Sequence, residues 1–289
     1  WLAEVALNGL YKPSYVPSRP IRELRDLTRM HRKLVEARTR EKNRIHKLLT
    51  KNGIRIAAVL ADIFGKSGRI IITGLLENKS VDQIFSTITS KRILKKRAEI
   101  EAAMCGELSD SDAFIIAKSL ESLNHLNAQI KEYDERILQC ILNYQDDLEI
   151  LMSIPGFGFI VASSLLAEIG DIKQFPGQKQ LVSWAGLAPS IYESAGISSH
   201  GQITKQGSKH LRTILVEAAH VIATRSSGSL KSFFVRVRSK KGYKIAIVAL
   251  ARKLLVIVHH LLSRQEPYCE ENRMPKQIQM PKSLSRLQP

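Results

Sequence analysis

Between Asp110 and Tyr144 apolar residues recur at a spacing that predicts one long helix with an apolar seam along one face. Positions 116, 120, 123, 127, 130, 134, 137, 141 and 144 alternate steps of four and three, and seven of the nine are Ile, Leu or Tyr. Because an α-helix repeats about every 3.6 residues, this spacing lines one face and is typical of a coiled coil. Asn127 and Asp134 are the polar exceptions, and polar seam residues fix register or oligomeric state.

Two partners for this helical face remain open. Pairing with a second copy would make the chain a homo-oligomer through the helix at 112–144. Pairing within the chain would place the face against the arginine-rich helix predicted for residues 21–49. The charges suit that pairing, because residues 22–51 contain eleven basic and four acidic residues, whereas residues 98–150 contain three and twelve.

The overall charge indicates a polyanionic partner. Lysine and arginine total 44 against 27 acidic residues, a formal charge of +17. Nucleic acid is the commonest partner for such an excess, and an anionic membrane surface is the rival. The apolar run at 245–262 is interrupted by two basic residues and two histidines, so we expect no membrane span. The three cysteines lie far apart in the sequence, so neither a disulfide framework nor a structural metal site is predicted. We expect a cytoplasmic, nucleoid-associated protein.

The sequence Ile-Pro-Gly-Phe-Gly at residues 154–158 is the first stretch that indicates a specific chemistry. A Pro-Gly-x-Gly turn between two helices is the pattern of a helix-hairpin-helix. Gly156 and Gly158 would let the backbone approach a DNA phosphate, and the free amides at the start of the second helix favour an anion. The alternative is an ordinary tight turn between two core helices.

The stretch 185–207 is rich in glycine, serine and proline and is expected to be a long loop. Loops of that length inside a compact domain are usually functional. Ser194 lies in it, and a serine hydroxyl is a competent nucleophile for phosphoryl transfer if a base, here His200 or His210, takes its proton. Three basic residues at the end of the loop and the start of the next helix would stabilise the transition state: Lys205, Lys209 and Arg212. The alternative is that Ser194 only shapes a turn.

Several ordered motifs together resemble the C-terminal domain of the insertion-sequence transposases of the 110/116/902 family. These motifs are the hairpin at 154–158, Glu168-Ile169-Gly170-Asp171, Gly186-Leu187-Ala188-Pro189, Ser194-Ala195-Gly196 and the basic stretch at 203–212. The blocks at 21–29 and 40–44 are similar to the middle region of the same family. The resemblance covers almost the whole chain.

This resemblance implies an architecture and a chemistry. Members of the family join an N-terminal RuvC-like nuclease fold, with an Asp-Glu-Asp-Asp set that binds Mg²⁺, to a C-terminal domain with a serine nucleophile, and a coiled coil lies between them. Some members are directed by a structured guide RNA. Ser194 matches the serine that forms a covalent phosphoseryl bond to DNA. The family pattern there is Ser-Gly, whereas this chain has Ser194-Ala195-Gly196.

The sequence therefore predicts a mainly α fold, in which long coiled-coil-like helices precede a C-terminal transposase domain that contains a helix-hairpin-helix. Four segments are expected: the end of a RuvC-like nuclease domain at 1–20, a helical and coiled-coil middle region at 21–148, the transposase domain at 149–264, and a flexible tail at 265–289. The residues expected to contact DNA are Gly156, Gly158, Lys205, Lys209 and Arg212.

The sequence opens at Trp1, inside an amphipathic pattern, and is expected to begin within a longer protein. The metal-binding acids of the family would precede Trp1, so no cofactor is expected in this chain, although Mg²⁺ is expected in the full-length family. The leading hypothesis is a DNA transposase that uses Ser194 for strand cleavage and exchange but does not complete transposition alone. The alternatives are a non-catalytic helix-hairpin-helix DNA-binding protein and a coiled-coil assembly protein whose charge only confers solubility.

Overall fold

A computed structural model describes residues 1–10, 15–194 and 197–270, with the backbone alone at residue 2, at 191–194 and at 197–200. Helices dominate this part of the chain, as the sequence predicts. The helices are α1 (Leu2–Leu7), α2 (Arg19–Lys51), α3 (Ile56–Val59), α4 (Lys66–Leu76), α5 (Val81–Ser86), α6 (Lys91–Leu94), α7 (Arg97–Ala103), α8 (Asp110–Ile141), α9 (Gln145–Met152), α10 (Phe159–Ile169), α11 (Gln178–Trp184), α12 (Lys209–Arg225), α13 (Ser229–Lys241) and α14 (Tyr243–Arg264). The strands are β1 (Pro189–Ser194) and β2 (Ile197–Ile203).

The chain divides into two compact units. One, here called the C-terminal unit, comprises Trp1–Met30 and Asp134–Pro289, and the other, the middle unit, comprises His31–Tyr133. The long helices α2 and α8 each contribute residues to both units. The domain boundaries expected at residues 20, 148 and 264 stay predictions.

Within the middle unit, α2 and α8 run antiparallel. Lys51 Nζ lies 2.9 Å from an Asp112 carboxylate oxygen, and Arg38 Nη1 lies 3.5 Å from Asn127 Oδ1. The end of α2 therefore contacts the start of α8, and an earlier residue of α2 contacts a later residue of α8. The seam residues of α8 in this unit are buried within the single chain: Ile116, Leu123 and Ile130. These contacts support the intrachain pairing of the seam, and homo-oligomerisation through α8 stays a prediction.

Asp112, in the first turn of α8, is held by a cluster of donors. Its carboxylate accepts hydrogen bonds from the Asn52 side-chain amide at 2.8 Å and from Lys51 Nζ at 2.9 and 3.1 Å. Only 4% of the residue is exposed. The hydrogen bond from Asn52, and then that from Lys51, hold the pKa of Asp112 below its ordinary value, because donors stabilise the charged carboxylate.

Acidification should destabilise the middle unit through this carboxylate. The lowered pKa of Asp112 means that its contribution to stability is complete above the unfolded-state pKa of about 4 and is lost as the pH falls through the folded-state value. We expect Asp112→Asn to lower the melting temperature at pH 7 and to flatten its dependence on pH below about 5. Thermal unfolding of both proteins between pH 7 and pH 2.5 tests this, and parallel curves would contradict it.

In the C-terminal unit, the apolar helix α14 forms the centre of the core. It packs against α9, α11, α12 and α13. Its length and hydropathy would also suit a membrane span, but half of the apolar window is buried inside the protein. The buried side chains include Leu250, Leu254 and Val258, each fully enclosed. The contacts of α14 are therefore those of a core helix.

The loop expected at 185–207 is instead a β-hairpin with two short flanking segments. Strands β1 and β2 pair antiparallel, with Pro189 opposite Ile203 and Ser194 opposite Ile197. Its many serines and glycines suggested an irregular loop, but the stretch also contains Ile191, Tyr192 and Ile197, and β-branched and aromatic residues favour strands. The expectation of a loop was wrong because turn-forming composition was given more weight than this strand propensity.

Candidate nucleic-acid interface

The segment 154–158 forms a tight turn between α9 and α10. The Phe157 amide donates to the Ile154 carbonyl at 3.0 Å, and Gly156 has φ +85°, the positive value that a type II turn requires at its third residue. A Cβ on Gly156 would approach Ile222 of α12 to 2.8 Å. Gly156 is therefore needed both for the backbone conformation and for close packing on α12.

Gly158 serves a different purpose in the same turn. It is the N-cap of α10, without a side-chain cap, and a Cβ there would meet nothing within 4 Å. The start of α10 is thus open to solvent, with its first amides unpaired by any capping side chain. An open helix N-terminus is favourable for an anion, so the surroundings of Gly158 suit the phosphate contact predicted for it.

The hairpin stands on two segments, 184–188 and 204–208, that are hydrogen-bonded to each other. The Thr204 amide donates to the Ala188 carbonyl at 2.9 Å, and the Ser208 amide donates to the Trp184 carbonyl at 3.0 Å. Gly207 has φ +113°, and a Cβ there would overlap the Trp184 carbonyl oxygen. Only glycine fits at this close approach, so the base of the hairpin is tightly constrained.

The three predicted cations occupy different positions around this base. Lys205 is exposed, with φ +57°, and Lys209 is the exposed first residue of α12. Arg212 is half-buried, and its Nη1 donates to the carbonyls of Ala185 and Lys205, each at 3.2 Å. The guanidinium therefore joins the two segments beneath the hairpin, and a phosphate contact by Arg212 stays a prediction.

Ser194 is the last residue of β1, at the tip of the hairpin. Its backbone pairs with Ile197, and its side chain lies outside the described part of the structure, as does that of His200. Five residue steps of about 3.3 Å separate Ser194 from Pro189, so the tip lies about 16 Å from the base along the strand. The predicted nucleophile thus lies at the end of β1, five residues from the base of the hairpin.

An ion pair with a buried carboxylate connects the start of α12 to α2. Glu168, only 2% exposed, accepts hydrogen bonds from Arg29 Nε at 2.6 Å and Nη2 at 2.9 Å. The Ser208 hydroxyl donates to the same carboxylate at 3.2 Å while it caps α12 by accepting from the Leu211 amide. The hydrogen bond to Glu168 raises the pKa of Arg29 above its ordinary value. Sequence reasoning placed Glu168 in a family motif but gave it no role.

The structure also brings together cations that are not among the five residues expected to contact DNA. A groove of about 1100 Å³ lies between the hairpin base and helices α13 and α14. Besides Lys205, five basic side chains line it: Arg236, Lys241, Lys244, Arg252 and Lys253. A usable signal was present in the sequence, because Lys244, Val248 and Arg252 follow at steps of four and so share one face of α14.

The described residues contain no group of three His, Cys, Asp or Glu side chains that could hold a metal ion. They therefore do not fit the Mg²⁺ site of the family.

Comparison with known proteins places these features in a family. The model described as Transposase IS116/IS110/IS902 family matches residues 148–234, which include all six predicted site residues, and a second model, described as Transposase, matches residues 1–53.

Three relatives illustrate the similarity. The chain is 34% identical over 151 residues to the transposase for insertion sequence element IS1111A of Coxiella burnetii, covering 51% of this chain and 41% of the relative. It is 34% identical over 187 residues to the pilin gene-inverting protein of Moraxella lacunata, covering 61% and 57%. A Pseudomonas aeruginosa protein named "Probable family 20 transposase" is 27% identical over 273 residues, covering 92% and 72%. The chain thus spans about half the length of the first two relatives. The chain belongs to the IS116/IS110/IS902 family of transposases.

Proposed function

We propose that this chain is the DNA-binding and strand-exchange part of a DNA transposase, acting on the nucleoid, with Ser194 as its nucleophile. The observation that carries the proposal is the match of the family model to 148–234, the segment that contains the hairpin with Ser194 at its tip and the cations at its base. The names of two relatives, a transposase and a gene-inverting protein, both describe rearrangement of DNA segments.

The proposed step is a transesterification at a DNA phosphodiester. The Ser194 hydroxyl loses its proton to a base and its oxygen forms a bond to phosphorus. The bond from phosphorus to one deoxyribose oxygen breaks, and that oxygen takes up a proton and leaves as a hydroxyl. One phosphodiester replaces another, so attack by a different DNA hydroxyl releases the serine and joins new strands.

We also propose that α9, the turn and α10 act as a helix-hairpin-helix that holds the DNA backbone. The open N-terminus of α10 at Gly158 supports this, because unpaired amides there suit a phosphate. Such a contact would be independent of base sequence. The antiparallel run of α2 and α8 in the middle unit supports a coiled-coil spacer. The seam of α8 would allow a homo-oligomer, and a guide RNA is a further partner that the family resemblance implies for some members.

Salt dependence of binding tests the DNA contacts. Binding through several phosphates should weaken with salt, with a log–log slope of about −0.9 per phosphate contact, and Lys209→Ala should reduce that slope by about 0.9. Arg225→Ala is the matched control, because Arg225 is exposed at the opposite end of α12. Fluorescence anisotropy with a labelled duplex between 50 and 300 mM KCl measures the slopes. An affinity of the unchanged chain that is insensitive to salt would contradict the proposal.

A further inference from the structure

The groove of about 1100 Å³ beside the hairpin base continues into a second hollow. This hollow of about 300 Å³ shares four of the groove's lining residues, so the two form one continuous depression across α13 and α14. The shared residues are Arg236, Lys241, Ile245 and Ala249. The second hollow adds one more cation, Lys240. All of these residues belong to the C-terminal unit.

All of the charged residues that line this groove are basic. Seven lysines and arginines border the two hollows, and no aspartate or glutamate lines either of them. Lys244 and Arg252 are exposed, and within residues 1–10, 15–194 and 197–270 neither makes an ion pair with a carboxylate. Cations without an acidic counterpart along one depression attract a polyanion.

The floor of the groove is apolar. Ile245 is 55% exposed there, and Val248, Ala249 and Val256 continue the same face of α14. Phe233 of α13 borders the floor, with Lys253 Nζ 4.5 Å from its ring centroid and the Arg236 guanidinium carbon 5.7 Å away. Covering this exposed isoleucine and aromatic ring with an apolar ligand removes apolar surface from water and so lowers the free energy of the complex.

We propose that this groove binds an unpaired DNA strand, with phosphates on the cationic rim and base faces on the apolar floor. A duplex offers its outer surface of phosphates and sugars and keeps its bases stacked inside, so it has no group for the floor. Proteins that bind single strands combine a positively charged groove with surfaces that contact base faces. Pro189 and Ile203, which border the groove, are also the base of the hairpin that carries Ser194.

The proposal rests on the proposed function, because strand exchange must release unpaired nucleotides beside the phosphate that is attacked. The tip of the hairpin lies about 16 Å from the groove edge along β1, a distance of a few nucleotides of extended strand. The groove would then hold the strand that leaves the duplex while its phosphate is presented to Ser194.

The floor is tested by Ile245→Ser. Because Ile245 is more than half exposed, the substitution should leave the melting temperature unchanged. We expect it to weaken binding of a dye-labelled unpaired 20-nucleotide DNA by about five-fold, because losing the contact with a base should cost about 1 kcal/mol of binding free energy. Binding of a duplex of the same sequence should be unaffected. Val235→Ser is the matched control, because Val235 is 50% exposed on α13 and lines neither hollow.

The rim is tested by the double substitution Lys241→Ser and Lys244→Ser. It should lower the log–log salt slope for the unpaired strand by about 1.4, at about 0.7 per phosphate contact on a single strand. Lys173→Ser with Lys179→Ser removes the same charge from exposed positions outside the groove and should leave the slope unchanged.

Four outcomes are distinguishable. The proposal is supported if both groove variants weaken the unpaired strand and their controls do not. It is overturned if the groove variants match their controls, or if Ile245→Ser weakens the duplex as much as the single strand, which would indicate a duplex-backbone site. If the groove proposal is overturned but the protein still binds a duplex in a salt-dependent way, the proposed function stands. If the protein binds no DNA at all, both the groove proposal and the proposed function are contradicted.

Discussion

Glu168→Ala should lower the free energy of unfolding of the C-terminal unit by about 1–3 kcal/mol, because it leaves donors of Arg29 and Ser208 without their acceptor while the 36% exposed Arg29 side chain can still be hydrated. The carboxylate is 2% exposed and accepts two hydrogen bonds from Arg29 and one from Ser208. Without it, the Arg29 guanidinium loses its counter-charge in a partly buried place, and the cap of α12 loses its support. The base of the hairpin should loosen with the helix start.

Fluorescence of Trp184 measures this effect selectively. The chain contains two tryptophans, so a Trp1→Phe background leaves Trp184, in the C-terminal unit, as the only fluorophore of its kind. Urea titrations in that background should separate Glu168→Ala from Glu266→Ala, an exposed control expected to stay within about 0.5 kcal/mol of the parent. A second cycle with Arg29→Ala should show that the double variant loses less than the sum of the two single losses. Additive losses would mean that Arg29 and Glu168 are not coupled.

The long helices were predictable from local pattern. The seam beginning at position 116 predicted the helix at Asp110–Ile141, and the arginine-rich helix predicted for residues 21–49 corresponds to Arg19–Lys51. Such predictions succeed because apolar residues spaced at the helical period lie on one side of the chain only if that chain is a helix, and burial of that side then stabilises the helix. The choice between an intrachain and an intermolecular partner needed coordinates, because the apolar seam can be buried by either partner although the opposite charge of residues 22–51 favours the intrachain one.

The hairpin and the groove were missed for separate reasons. Strands β1 and β2 are short, and their serines and glycines dilute the alternation that indicates a strand. The groove collects side chains from β2, α13 and α14, which are separated along the chain, so their proximity is a tertiary property. The role of Glu168 is likewise non-local, because Arg29 lies 139 residues away in sequence.

Ser194→Ala should abolish formation of a covalent bond between this protein and DNA. Alanine lacks the oxygen that attacks phosphorus, and loss of a nucleophile typically costs a factor of about a thousand or more in rate. The backbone of β1 should be preserved, because alanine adopts extended conformations and the pairing with Ile197 uses only the main chain. Ser190→Ala is the matched control: Ser190 lies four residues away on the same strand, and its hydroxyl donates to the Gln202 carbonyl at 2.9 Å.

A substrate with an activated leaving group makes the reaction observable in this chain alone. In DNA with a bridging phosphorothiolate at the scissile position, the serine oxygen forms its bond to phosphorus while a phosphorus–sulfur bond breaks. The sulfur leaves as a thiolate without needing a proton donor, because thiols have a pKa near 8.5. The substrate would be labelled DNA that flanks the gene of this chain, with the modification placed in turn at positions across the element ends.

The decisive measurement is the amount of labelled DNA that stays attached to the protein on a denaturing gel. The unchanged chain and Ser190→Ala should both give an adduct, digestion should place the label on the peptide containing residue 194, and Ser194→Ala should give none. An adduct of equal yield from Ser194→Ala, or a label on any other peptide, would show that the hydroxyl at the hairpin tip is not the nucleophile.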